Sequence, residues 1–316
     1  MLQAALNTSA GIPLKSILVT TDFSPASDGP VDCALTVARH HGAVLHLAHV
    51  VPSVGLNIGG REAIAQATTI AAKELLALER RLAARRAFDD VAHDLILCSG
   101  DIWCELQAVI ERAAVDLVII GTHARTDLRK VFLGSVAERI FRQAGCPVLT
   151  VGPRSPSEAT TNVGRTSCPV LFVTDFSQAS LAALPYAISF AERWETQLAL
   201  LHILPPSVLA VDRLHWSTMA DVVQLELEAH MSARLRLEHL TERAIGDHDA
   251  AITVEFGEPA EGIVRAARAL QAQAIVMGLK RTAHVEAASH VRWSIAYDVV
   301  CAGGCPVLTV RESPDQ

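Results

Sequence analysis

The chain contains itself twice. The stretch ILVTTDFSPASDGPVDCALTVARHHGAVLHLAHVVP (17–52) aligns without a gap on VLFVTDFSQASLAALPYAISFAERWETQLALLHILP (170–205). Thr21, Asp22, Phe23, Ser24, His49 and Pro52 recur as Thr174, Asp175, Phe176, Ser177, His202 and Pro205. SGDIWCELQAVIERAAVDLVIIG (99–121) then matches FGEPAEGIVRAARALQAQAIVMG (256–278), and both halves close on GCPVLTV, at 145–151 and 304–310. A repeat this long is a duplicated domain rather than a solenoid unit, whose period is a few tens of residues. A chain of 316 residues also suits two domains of ordinary size. The halves are therefore read as 1–152 and 168–316, joined by a Pro/Ser/Thr/Gly-rich linker at 153–167.

Within the first half, runs rich in Val, Ile and Leu (17–20, 44–50, 92–98, 116–120 and 147–151) alternate with helical segments such as 27–42, 61–87 and 101–114. The runs are continuously apolar, as strands covered on both faces are. Five strands alternating with four helices predict a doubly wound parallel α/β sheet in each half, with right-handed crossovers. Such sheets bind ligands beyond the carboxyl ends of their strands, where strand order reverses. The residues that follow strands one, two and four are the ones to inspect: 21–25, 50–54 and the stretch from 121.

Half of the residues are hydrophobic and 19% are charged, enough for two full cores. The net charge of −7 argues against nucleic-acid or anionic-membrane partners, which select basic patches. Small anions stay open, because backbone amides bind them without net positive charge. Neither a signal peptide nor a membrane-length apolar run is read. Seven scattered cysteines in a chain this size suit a reducing cytoplasm.

Behind DLVII (116–120) stands GTHARTDLRKVFLGS (121–135), with Arg125, Arg129 and Lys130 between its outer glycines. A phosphate cradle needs exposed amides, close backbone approach and a helix N-terminus. Ser135 and Glu138 also have the spacing of a capping box, under which Ser135 simply caps the next helix. A capped helix start is itself an anion site, so the local sequence leaves both readings open.

The spacing Gly121, two residues, position 124, nine residues, Gly134, Ser135 resembles the nucleotide motif of universal stress proteins: Gly, two residues, Gly, nine residues, Gly, Ser or Thr. TDFS after the first strand, LHLAHVV in the second and GCPVLTV at the end resemble the same family, and the similarity spans nearly the whole chain, twice. The resemblance implies a Rossmann-like, adenine nucleotide α-hydrolase-like fold. It implies that the halves pair through their last strands as an internal pseudo-dimer, with a further homodimer open. It also implies an ATP pocket in the first half, in a cytoplasmic stress-response protein that is not an enzyme. Asp22 would hold the adenosine part, with Thr20 and Thr21 beside it, and Val50 would offer backbone to the adenine. Ile120, Gly121 and His123 would line the base and sugar side. Gly134, Ser135 and Val136 would take the phosphates, with Mg accompanying them.

Ala124 departs from the motif, which has glycine there. If the position needed φ > 0, alanine would cost roughly 1 kcal/mol, weakening the site rather than abolishing it. The second half keeps Gly278 and Ser294, but Arg281 and Trp293 replace the other glycines and the loop is two residues longer. One nucleotide at most is expected per chain, in the first half. A competing reading, a stress protein that binds partners and no nucleotide, draws on Ala124 and the degenerate second loop. An ATP pyrophosphatase of this architecture would need a Ser-Gly-Gly-type loop after the first strand, and TTDFSPAS (20–27) has no glycine.

Other constellations read as structural. His46 and His49 point to opposite faces of a strand and cannot chelate one metal together. The run LERRLAARRAFDD (78–90) reads as a solvated helix end, and Asp22 itself has a bland alternative as a strand-end capping residue.

Overall fold

The computed structural model describes residues 12–53, 60–124, 131–152, 168–206, 219–244, 250–280, 295–302 and 304–311. The linker at 153–167, Arg125, Arg129, Lys130, Arg281, Trp293 and Ser294 lie outside them. The chain divides into two compact units, Pro13–Val163 and Gly164–Gln316, the latter including Met1–Ile12.

The first unit runs β1 (Ser16–Thr20), α1 (Asp28–His41), β2 (Val44–Pro52), α2 (Gly60–Ala84), β3 (His93–Gly100), α3 (Ile102–Arg112) and β4 (Leu117–Gly121). It continues through β5 (His123–Ala124), β6 (Val131–Phe132), α4 (Ser135–Gln143) and β7 (Val148–Val151). Strand order is β7-β4-β1-β2-β3, parallel throughout. The chain builds outward from β1 to β3 on one side, then crosses back to β4 on the other. Order reverses at β1 and β4, which is where a ligand crevice is expected.

The central strands are as apolar as the sequence suggests. Ile17, Leu18, Val19, Leu117, Val118 and Ile119 are fully buried, consistent with helices on both faces of the layer. Helix ends follow local chemistry. Gly42 terminates α1 in the left-handed region at φ 65°, where a side chain would be strained. The Asp101 carboxylate starts α3 by accepting from the Cys104 amide at 3.0 Å.

Two expectations need amendment. The basic run at the end of α2 is more than a solvated face: Arg81 pairs with Asp28 at 2.6 Å, and Arg85 pairs with Asp32, clipping α2 to α1. The stretch after β4 is also not a plain loop. β5 and β6 form a short antiparallel hairpin in which Ala124 pairs with Val131. Its backbone is therefore extended, and the argument that Ala124 carries a left-handed penalty falls.

The second unit runs β8 (Val170–Val173), α5 (Gln178–Leu181), α6 (Leu184–Arg193), β9 (Leu198–Leu204), α7 (Met219–Ala244), β10 (Ala250–Phe256), α8 (Pro259–Ala269), β11 (Ala274–Leu279), α9 (Ile295–Ala302) and β12 (Val307–Arg311). Its order, β10-β9-β8-β11-β12, repeats the first unit's pattern, again parallel. Among the described residues, no helix is long and apolar enough to cross a membrane.

Candidate functional site

The carboxyl ends of β1, β2 and β4 converge with the start of α4 on one cavity of about 370 Å³. Thr20, Thr21, Asp22, Val50, Ile120, Gly121, Gly134, Ser135 and Val136, all singled out from the sequence, line it together. His123 and Ala124 follow in β5, of which the backbone alone is described.

The end of β1 is a fixed corner. Phe23 has φ 62°, a left-handed conformation that costs a non-glycine residue roughly 1–2 kcal/mol. Three contacts hold it there. The Phe23 amide donates to Thr21 Oγ1 at 3.0 Å, and the ring lies 4.3 Å from that of His49. His49 Nδ1 in turn donates to the Thr21 carbonyl at 2.8 Å. The corner turns Asp22 out to an exposed position on the cavity rim. There its Oδ1 accepts from the Ser24 amide at 3.0 Å, the Ser24 hydroxyl at 2.6 Å and the Ser27 hydroxyl at 2.5 Å. Asp22 thus braces the turn after β1, whereas the N-caps of the helical turns that follow are Ser24 and Ser27, and it presents a positioned charge to the cavity as well.

The opposite wall is the start of α4, and here the capping-box reading is corrected. Gly134, with φ −61° and ψ 160°, is the N-cap and has no side chain to cap with; Ser135 is the first helical residue. The Glu138 amide is the first to bond back, to the Gly134 carbonyl at 2.8 Å. The amides of Ser135, Val136 and Ala137 precede the intrahelical ladder, as first-turn amides must, and these three residues line the cavity. First-turn amides of a helix favour an anion by geometry and dipole together.

Gly121 has a packing reason of its own. A Cβ there would stand 2.8 Å from Cγ of Pro30 in α1, so a larger residue would have to push that ring aside. The sequence reading missed several wall residues: Ser27, Ala48, His49, Ile102, Leu106, Thr122 and Ile140. His49 and Ser27 could have been found, since each adjoins a strand end already under inspection. Ile102 and Leu106 carry only the ordinary apolar pattern of a helix face.

His46 has a separate, structural role. Its Nε2 meets Ser16 Oγ at 3.0 Å and its Nδ1 meets Asp94 Oδ1 at 2.6 Å, joining β1, β2 and β3. Ser16 Oγ also donates to the Ala113 carbonyl at 2.9 Å, which commits its single proton to the backbone. The serine is therefore not poised as a nucleophile, despite the Ser-His-Asp sequence of contacts. Among the described residues, no group of three His, Cys, Asp or Glu side chains could hold a metal ion.

Fold and site together define a tandem α/β protein with a ligand crevice at the switch point of its first sheet. The model of the universal stress protein family matches residues 13–152 and 168–311. The chain belongs to the universal stress protein family. Universal stress protein Rv2005c of Mycobacterium tuberculosis is 25% identical over 315 residues, covering 94% of this chain and 97% of the relative. Universal stress protein MJ0531 of Methanocaldococcus jannaschii is 32% identical over 141 residues, 43% of this chain and 81% of its own. The crystal structure of a universal stress protein from Archaeoglobus fulgidus matches the fold with a TM-score of 0.70 at 20% identity, covering 94% and 98% of the two chains.

Proposed function

We propose that the first half binds an adenine nucleotide, ATP in the first instance, and that the protein acts in the stress response by binding rather than by turnover. One observation carries the reading. A helix start with glycine as its N-cap, Gly134 to Ala137, opens into the cavity whose far rim holds the Asp22 carboxylate. A nucleotide is chemically divided in the same way. Its phosphates seek amide donors, whereas its ribose hydroxyls can donate to a carboxylate. Between the two ends, Ala48, Val50, Ile102 and Leu106 supply an apolar wall suited to a base.

Mg fits this site as a passenger on the phosphates, since it is commonly held through substrate phosphates and few protein ligands. Turnover has little support, because the exposed carboxylate at the cavity rim is already engaged by Ser24 and Ser27. The cytoplasm is the proposed location. Seven scattered cysteines in a chain of this size suit a reducing compartment. The test is mass spectrometry of small molecules released from the denatured protein, followed by calorimetry with ATP. Absence of a nucleotide from both measurements overturns the reading in favour of a partner-binding stress protein.

A further inference from the structure

A second cavity, of about 270 Å³, adjoins the first and shares Ile102, Ser135 and Val136 with it. It adds two charged residues, Asp101 and Arg139. Arg139 follows Ser135 by four positions, so both lie on one face of α4. Helical side chains lean toward the N-terminus, which directs the guanidinium back to the end where phosphates would sit. Arg139 Nη1 stands 3.5 Å from Asp101 Oδ1, and both side chains are about half exposed, at 47% and 45%. That pair is long and wet, hence weak and easily exchanged. The acid in the first turn of α4 itself, Glu138, is already paired with Arg142.

We propose that Arg139 is the receptor for the distal phosphates of a nucleoside triphosphate, released from Asp101 as they arrive, so that the site selects ligands by phosphate number. The proposal rests on the nucleotide reading above and deepens it. The α4 amides serve the phosphates nearest the cavity shared with the base. The next phosphate would extend past Ser135 into the second cavity, toward the guanidinium. There a bidentate, doubly charged phosphate outcompetes a single carboxylate oxygen. Asp101 keeps Arg139 paired without ligand and repels phosphate chains that fail to displace it.

The experiment is calorimetry of the full chain with AMP, ADP and ATP in magnesium-containing buffer, on the wild type, Arg139→Gln and Asp101→Asn. Asparagine caps a helix as well as aspartate does, so the second variant removes the charge and keeps the α3 cap. The wild type is expected to prefer ATP to AMP by about tenfold or more, and Arg139→Gln to abolish that preference by weakening ATP about tenfold while AMP stays within about twofold. Asp101→Asn should tighten ATP severalfold. If Arg139→Gln binds ATP as the wild type does, or loses AMP and ATP alike, the distal-phosphate role is overturned while the nucleotide site stands. If the wild type binds none of the three, both readings fall.

Discussion

Gly121 and Gly278 stand at matching positions near the ends of equivalent strands, beneath equivalent helical turns, yet the turn sits at different heights above them. A Cβ on Gly121 would stand 3.7 Å from the Ala26 carbonyl oxygen and 2.8 Å from the Pro30 ring. A Cβ on Gly278 would stand 1.9 Å from the Ala179 carbonyl oxygen, the counterpart of Ala26 in the repeat. The second half has closed backbone onto backbone. Aligned residues show how. Pro30 becomes Ala183, which is fully buried, so the ring that spaces α1 from β4 is missing. Pro25 becomes Gln178, and a short 3-10 turn becomes the α-helical turn α5, capped by Ser177 through the Ser180 amide at 3.2 Å. Ser27, which donates to Asp22 on the rim of the first pocket, becomes Ser180, buried and bonded to Thr174 Oγ1 at 2.9 Å. Asp175 is bound locally by Ser177 and has Lys280 Nζ at 3.9 Å. One duplicated scaffold thus spaces the turn from the strand in one copy and closes it onto the strand in the other.

The comparison breaks most directly at the glycines. Gly278→Ala drives a methyl into backbone and is expected to cost about 3 kcal/mol, the upper range for overpacking, whereas Gly121→Ala meets a yielding ring and costs about 1 kcal/mol. Thermal unfolding of both variants checks this, and equal losses would show that the halves are equally open. Next in size is binding. Gly134→Trp installs the residue that the second loop carries as Trp293, and should lower ATP affinity by at least about a hundredfold. Native mass spectrometry should find at most one nucleotide per wild-type chain and none on this variant; two per chain would refute the asymmetry. Pro30→Ala sharpens the point. Without its spacer, α1 can settle toward β4, and ATP affinity should fall on the order of threefold to tenfold in calorimetry with little change in melting temperature.

Acid should trouble the second half through two groups. Burial acts to raise the Asp175 carboxyl, but hydrogen bonds from Ser177 and Ser180 and the charge of Lys280 outweigh it and hold the group below its ordinary 3.8. The stability linked to Asp175 is present above that value and lost as pH falls through the lower folded one. For His202, burial lowers the pKa below 6.5, against the opposing hydrogen bond to the Thr174 carbonyl. Stability therefore declines as pH drops from 6.5 toward the folded value, because the unfolded chain takes up the proton first. Asp175→Asn and His202→Gln should each flatten the matching part of a plot of melting temperature against pH. Smallest of all is Ala124→Gly. With Ala124 in an extended strand, affinity should change by less than about twofold, where a left-handed position would have given about tenfold.

Much of this was legible in the sequence because its signals are local or repeated. Alignment of 17–52 on 170–205 showed the duplicated α/β unit, and nine of the eleven residues named from the first-strand, second-strand and Gly121-to-Ser135 motifs line one cavity. What escaped depends on how closely elements approach, which a linear pattern does not carry. Gly121 and Gly278 look alike in the sequence, and only the height of the overlying turn tells them apart. Ser135 with Glu138 has the letters of a capping box, but the helix starts one residue earlier than that motif requires, with Gly134 as the N-cap. Arg139 reads as an ordinary exposed helix residue until α3 brings Asp101 beside it.

The strand order has a consequence for the chain as it is made. Ile17 pairs with Leu117, a hundred residues further along, and the second unit repeats the delay between Leu171 and Ile275. At the usual pace of about 5–20 residues per second, β1 waits roughly 5–20 s on the ribosome for the neighbour that covers its other edge. During that interval Ile17, Leu18 and Val19, fully buried at the end, stand beside an open strand edge. Chaperone capture has its window there, and a duplicated chain must pass through it twice.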